Sequence, residues 1–159
     1  MTNRLNIYRN EEVLEKELKR LKKTKISQRN KDVIKRYHKY LLANDVGQPR
    51  VARLSMGLRT LSKLLKTDFE VATKEDIQEL VSKINQNKWY SAATISDFKQ
   101  IIKQFYKFLK GDGEEYPTEV KWIKTAIKLH KQKRFEELIH PDEIYNVIYC
   151  CDNIRDKAF

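Results

Sequence analysis

Few side chains in this sequence could perform catalysis or bind a metal. His38, His130 and His140 are the three histidines, and none has a carboxylate or a cysteine at metal-ligand spacing. Cys150 and Cys151 are neighbours that point to different faces of a helix, and nothing near them marks an activated thiolate. The sequence therefore predicts no metal site, no cofactor and no catalytic residue. It places His38 and His130 at the rim of the core.

The glycine-containing stretch "GDGEE" at 111–115 is a poor match to a phosphate-binding loop. It lacks a preceding strand, a third glycine and a GK[ST] ending, so it is predicted to be an ordinary loop. No nucleophile stands in a recognisable catalytic triad or nucleophile elbow. Enzymatic chemistry is not expected of these residues.

Basic side chains, in contrast, recur at helical spacing, which places them in rows along a helix. One row is Lys99, Lys103, Lys107 and Lys110, and a second is Lys121, Lys124, Lys128 and Lys131. A further helix carries basic residues at its entry and on the side away from its leucines, namely Arg50, Arg53, Arg59, Lys63 and Lys66. A solvated surface is the simpler explanation for any single lysine. Rows of one sign with few acids between them favour the neutralisation of phosphates.

The stretch "KWYSAAT", which begins at Lys88, could contact a ligand more directly. Trp89 and Tyr90 come just before a helix that Ser91 caps and whose first turn holds Thr94. A helix N-terminus with free backbone N–H groups suits phosphate anchoring or entry into the major groove of DNA. The alternative is that Trp89 is a hydrophobic staple and Ser91 an ordinary cap. Both uses depend on the same cap geometry, and both stay open at this point.

Periodic apolar residues predict an all-α fold that positions these side chains. Helices are expected over 10–23, from Ser27, over about 50–66, from Thr73 with Asp76 as a capping box, from Ser91, after Pro117 and from Pro141. Inward-facing positions are predicted at Tyr37 and Tyr40 on the second helix and at Val120, Ile123 and Ile127 on the sixth. No segment alternates long enough to be a strand. A compact bundle of about four to five helices is therefore expected, with one extra N-terminal helix.

Composition narrows the partners and the compartment. Lysine and arginine total 33 against 22 acidic residues, a formal net charge of +11, which favours a polyanionic partner and nucleic acid first. No apolar run approaches the ~20 residues of a membrane span, and the N-terminus lacks the apolar region of a secretory signal. The two cysteines suit a reducing compartment. A cytoplasmic protein with no membrane contact and no small-molecule substrate is predicted.

A resemblance to a known family joins these patterns. The residues Thr73, Asp76 and Ile77, followed by Ser91, Thr94, Phe105, Tyr106 and Leu109, match in order a "T-x-x-D-I" helix and a following "F-Y-x-x-L" helix. This succession resembles the SAM-like core-binding domain of tyrosine recombinases, the phage integrase family. The stretch "EYPTEVKWIKTAIK" looks like the archaeal branch of that family. "HPDEIYNVIYCCDNIRDKAF" is similar to the opening of its catalytic domain, with His140 where threonine is usual.

The resemblance implies a domain organisation and an activity. It implies a helical extension over 1–24, a core-binding domain over 25–131, a linker over 132–140 and the start of a catalytic domain over 141–159. The catalytic arginine, the His-x-x-Arg motif and the tyrosine nucleophile would then follow Phe159. The fragment is expected to grip duplex DNA for recombination, without cleaving it, and to meet other recombinase protomers on that DNA.

The family's core-binding domains press two helices toward the major groove, and this implies a set of DNA-contacting residues. By position these are Arg50, Arg53, Arg59 and Lys63, then Lys88, Tyr90, Ser91, Thr94, Lys99 and Lys103. Backbone contacts leading into the linker are expected from Lys121, Lys124, Lys128, Lys131, Lys133 and Arg134. Two other functions stay open. One is a stand-alone helical DNA-binding regulator, and the other is a helical protein-interaction module that uses Leu14, Leu18 and Leu21.

Overall fold

The computed structural model describes residues 10–111, 115–125 and 140–150. All regular structure in these ranges is helical, which confirms the predicted all-α fold. The helices are α1 (Asn10–Lys23), α2 (Gln28–Ala43), α3 (Gln48–Leu64), α4 (Lys74–Gln86), α5 (Ala92–Lys110), α6 (Thr118–Lys121) and α7 (Pro141–Cys150). Contacts divide the chain into two compact units, Met1–Ile127 and Lys128–Phe159. Among the described helices, none combines the length and the apolar character that a bilayer crossing requires.

The predicted helix starts are confirmed by their caps. Ser27 accepts a hydrogen bond from the backbone N–H of Asn30, and Ser91 accepts one from that of Thr94. Thr73 and Asp76 form the complete capping box, in which each side chain accepts from the other residue's backbone N–H. These contacts satisfy N–H groups that have no partner within the helix. Local sequence alone therefore fixes where α2, α4 and α5 begin.

Helix α3 lies at the centre of the first unit and packs against α1, α2, α4 and α5. Its predicted apolar positions Val51, Leu54, Leu58, Leu61 and Leu65 are all buried. A methyl group added at the buried Gly57 would lie 2.5 Å from Ile101 Cδ1. The absence of a side chain at this glycine therefore lets α3 and α5 approach closely.

Two apolar positions differ from the sequence prediction. Tyr40, predicted to face inward, is 48% exposed at the surface of α2. Phe69 lies in the connector between α3 and α4, outside the apolar positions predicted for the helices, yet it is buried among the core side chains. The buried Asn30 fixes this connector, because its Oδ1 accepts from the backbone N–H of Phe69 and its Nδ2 donates to Ser62 Oγ, both at 2.9 Å.

Helix α1 packs on the bundle and belongs to the same compact unit as α2 to α6. Leu21 is completely buried, and Leu14 packs against the core from a half-buried position. Leu18 is half-buried as well. These leucines, which the interaction-module hypothesis assigned to contact with a second chain, are therefore largely covered within this chain.

Helix α6 is much shorter than predicted, because it ends at Lys121 after a single turn. Val120 and Ile123 are buried as expected, but Ile123 lies outside the helix. The carbonyl groups of the segment after α6 accept hydrogen bonds from α5 side chains. Lys103 Nζ donates to the Ile123 carbonyl at 3.3 Å, and Ser96 Oγ donates to the Thr125 carbonyl at 2.6 Å. The predicted inward position at Ile127 lies outside the described residues.

In the second unit the structure describes His140 and α7. The helix begins at Pro141, as predicted. The backbone N–H of His140 donates to Glu143 Oε2 at 2.9 Å, so a carboxylate three residues later occupies the first turn. This contact supports the helix start just after His140.

Candidate nucleic-acid interface

A groove between α3 and α5 gathers basic and amide side chains. It encloses about 330 Å³ and is lined by Pro49, Arg50, Arg53, Leu54, Asp97, Gln100, Ile101 and Gln104. We call this surface the α3–α5 groove. Residues 97, 100, 101 and 104 share one face of α5 because their spacing of three and four residues matches the helical repeat. Gly57 contributes by keeping the two helices close.

Two hollows adjoin the α3–α5 groove at Gln104, which lines all three. One encloses about 560 Å³ between α2 and α5, and its wall includes Tyr37, Tyr40 and Lys107. The other encloses about 230 Å³ beside Lys103 and Tyr116. The concave surface therefore extends along α5 on both sides of the α3 crossing.

Two arginines give the α3–α5 groove its positive charge. Arg50 is exposed and forms no ion pair with any residue that the structure describes. The Arg53 guanidinium is 64% exposed and pairs with the half-exposed carboxylate of Asp97. An ion pair this open to water contributes little to stability and exchanges readily. Burial raises the pKa of the nearby Tyr37 to about 12, Tyr40 adds to the rise, and the positive charge of Arg50 opposes it.

Arg59, predicted to contact DNA, lies on a different face of α3. Its Nε donates to Glu17 Oε1 of α1 at 2.7 Å, and the side chains of Arg59 and Glu17 are only 16% and 4% exposed. The guanidinium is therefore held in a partly buried position by a carboxylate 42 residues away. Arg59 is thus less available for DNA contact than the sequence predicted. Lys63 is exposed and has no ion pair among the described residues.

Most lysines of the α5 row contact the segment that follows α5 in the chain. Lys103 lies 4.4 Å from the centre of the Tyr116 ring in addition to its bond to the Ile123 carbonyl. Lys107 lies 5.6 Å from the centre of the same ring, and Lys110 pairs with Glu119 at 3.1 Å. Lys103 is thus less available than the sequence predicted. Lys99 is half-buried and forms no ion pair among the described residues.

The side chains of the turn before α5 differ in their exposure to solvent. Lys88 is exposed, and Trp89 is 94% exposed, so Trp89 is not the hydrophobic staple that the sequence allowed. Tyr90 packs instead on Phe98, with ring centres 5.3 Å apart. The hydroxyl groups of Ser91 and Thr94 lie 2.9 Å apart within the cap, so the cap already uses both.

The second lysine row is only partly described. Lys121 is exposed and pairs with Glu115 at 3.3 Å, and Lys124 is exposed beyond the end of α6. Because the helix ends at Lys121, these two lysines do not share the helical stripe that the sequence predicted. Four further predicted contacts lie outside the described residues: Lys128, Lys131, Lys133 and Arg134. His130, Cys151 and most of the 111–115 loop lie outside them as well.

In the described ranges, no group of three or more histidine, cysteine or acidic residues could hold a metal ion. His38 is buried, and its Nε2 has no hydrogen-bond partner among the described residues. This burial lowers the pKa of His38 from its ordinary value of 6.5 to about 4. The side chain is therefore neutral at physiological pH.

Comparison of the chain with protein-family models, with curated proteins and with solved structures finds no match. The α3–α5 groove is therefore assessed on its own geometry. Sequence reasoning found Arg50 and Arg53 but missed Asp97, Gln100 and Gln104. The available signal was their helical spacing, which puts these three polar residues on one face of α5.

Proposed function

We propose that the chain binds duplex DNA through the α3–α5 groove, as the DNA-gripping part of a site-specific tyrosine recombinase. One observation carries this proposal: Arg50, Arg53, Gln100 and Gln104 line the same exposed groove. Arginine can donate two hydrogen bonds to guanine, and glutamine can bond adenine in the same bidentate manner. Few other combinations of side chains read base edges as directly.

The charge distribution supports an anionic partner. The chain carries a net charge of +11, and Arg50, Lys63, Lys88 and Lys124 are exposed without an ion pair among the described residues. Each such cation can displace a condensed counterion from a phosphate, which supplies affinity that does not depend on sequence. We assign the lysines to backbone contacts and the groove arginines to base reading.

The recombinase part of the proposal rests on the ordered resemblance of residues 72–111 to a core-binding domain. That resemblance assigns strand cleavage and rejoining to a separate catalytic domain. The function proposed for these residues is therefore to hold the duplex in place. The rival interaction-module hypothesis has less support, because Leu21 of α1 is buried within this chain.

The test is a fluorescence anisotropy titration of a duplex of about 30 base pairs over a salt series. Wild-type affinity should fall steeply as salt rises. The double variant Arg50→Ala/Arg53→Ala should bind more weakly, because the groove loses both guanidinium groups that donate to base edges. The matched control is Lys25→Ala/Arg29→Ala, which removes the same charge from exposed positions near the start of α2.

Equal losses in the two double variants would show that only net charge matters, and this would remove the groove from the interface. Absence of binding even at low salt would contradict DNA binding as a whole. Circular dichroism of each variant checks that the helices are intact.

A further inference from the structure

Trp89 is exposed to a degree that folding does not explain. Its surface is 94% exposed, more than that of any other large hydrophobic side chain that the structure describes. An indole carries one of the largest apolar surfaces of any side chain, so leaving it in water forgoes substantial stabilisation. It also makes no ring contact with any described residue. The indole is therefore available to a partner.

The backbone on both sides of Trp89 is held in place, so the exposed ring sits on a fixed support. The N–H of Trp89 donates to Asn87 Oδ1 at 3.0 Å, and the N–H of Tyr90 donates to the Asn87 carbonyl at 3.2 Å. The Tyr90 ring packs on Phe98, and Ser91 caps α5. A backbone held in this way does not have to be ordered when the indole binds a partner.

The sequence neighbours of Trp89 suit an anion with a flat apolar face. Lys88 is exposed just before it, and the first two residues of α5, Ala92 and Ala93, are exposed as well. Alanine offers only a methyl group, so no bulky side chain stands at this entry to the helix. One large aromatic ring with an adjacent cation is the combination that single-stranded nucleic acid recognises through a base and its phosphate.

We propose that Trp89 stacks on an unpaired nucleobase while Lys88 contacts the adjoining phosphate. The base must be unpaired because the faces of bases in an intact duplex are already covered by their neighbours. This inference rests on the proposed nucleic-acid function and narrows it to DNA that is gapped or opened near this turn. An anionic membrane surface is a weaker partner, since membrane-surface binding uses an apolar face of several side chains and this turn presents one.

Tryptophan emission of the 159-residue chain tests the proposal directly. The Trp122→Phe variant leaves Trp89 as the only reporter. Trp122 Nε1 donates to the Glu119 carbonyl, and the Trp122→Phe variant loses this hydrogen bond. The difference in emission between wild type and Trp89→Leu therefore serves as a second measurement, in which Trp122 is intact. The probes are an oligothymidylate of about 15 nucleotides, and a duplex of about 30 base pairs with and without a gap of about three nucleotides.

At matched occupancy, Trp89 emission should be quenched by the oligothymidylate and the gapped duplex but not by the intact duplex. Trp89→Leu should weaken binding to the gapped duplex by about 5- to 150-fold, the loss of one stacked base, with little change for the intact duplex. Trp89→Tyr should restore most of the affinity, because a phenol ring also stacks.

Unchanged Trp89 emission while anisotropy shows both duplexes bound would overturn the stacking inference and leave the proposed function in place. Failure to bind any of the three DNA probes would overturn both. A blue shift with phosphatidylglycerol vesicles and no response to DNA would overturn the inference in favour of a membrane contact.

Discussion

Two faces of helix α3 use arginine in opposite ways. On the face toward α1, Arg59 is mostly buried and bonded to the buried carboxylate of Glu17. On the face toward α5, Arg53 pairs with Asp97 in an open groove where both side chains are accessible to water. The two arginines are only six positions apart on one helix. Their different surroundings make the first a structural residue and leave the second able to exchange partners.

The difference shows that ion pairing alone does not exclude a binding role. A buried pair cannot release either member without leaving an uncompensated charge inside the protein. An exposed pair can, because water and salt replace the lost contact at small cost. We therefore assign binding to the α3–α5 groove and stability to the α1–α3 face, and three changes test that assignment.

The largest expected effect separates the two arginines. Arg59→Ala should lower the free energy of unfolding by about 3 kcal/mol, because the buried Glu17 would keep only its 3.9 Å ion pair with Arg20. Arg53→Ala, the matched control on the same helix, should cost under about 1 kcal/mol. Urea denaturation followed by circular dichroism measures both. Similar losses in the two variants would erase the distinction between the faces.

His38, a second buried polar group, makes the free energy of unfolding depend on pH. Its pKa is about 4 in the folded chain and 6.5 as the ordinary value, so the unfolded chain binds the proton first as pH falls. The contribution of His38 to the free energy of unfolding should be fully maintained only above about pH 7. It should fall by about 2 kcal/mol between about pH 7 and pH 5 as a result of this one group.

The His38→Leu variant isolates the effect of His38 from the titration of carboxylates. Its stability should change less between the same two pH values than that of the wild type, as measured by denaturant midpoints. Parallel pH profiles for the two proteins would mean that His38 is protonated in the folded state at the same pH as in the unfolded chain.

The smallest effect on stability is expected in the groove itself. Asp97→Asn should change the free energy of unfolding by under about 1 kcal/mol, because the pair with Arg53 is exposed. It should strengthen DNA binding at low salt several-fold, since it removes the acidic side chain of the groove and frees Arg53 for phosphate or base contacts. Weaker binding would mean that Asp97 contributes a contact or a geometry that DNA requires.

Local signals made much of the fold predictable from sequence. The caps at Ser27, Thr73 and Ser91 and the leucine period of α3 depend on residues within a few positions of one another. Phe69 was missed because its burial depends on Asn30 of α2, which fixes the connector from 39 positions away. The end of α6 was also missed, and the segment beyond it bonds through its carbonyl groups to Lys103 and Ser96 of α5, 20 and 29 positions away.

The candidate interface was less predictable than the fold. The sequence marks which residues are basic, but it does not show which of them a distant carboxylate neutralises in the interior. Arg59 and Arg53 look alike until Glu17 and Asp97 are placed beside them. The groove also depends on Gln100 and Gln104, whose role follows only from the close approach of α3 and α5 at Gly57.

The central claim is that DNA contacts the α3–α5 groove and not the α1–α3 face. Titration of the ¹⁵N-labelled chain with a duplex of about 30 base pairs, read as amide chemical-shift changes, tests it most directly. The largest changes should cluster over residues 50–54 and 97–104, with little change around Glu17 and Arg59. Changes concentrated on α1, or binding that leaves both groove segments unshifted, would contradict the claim.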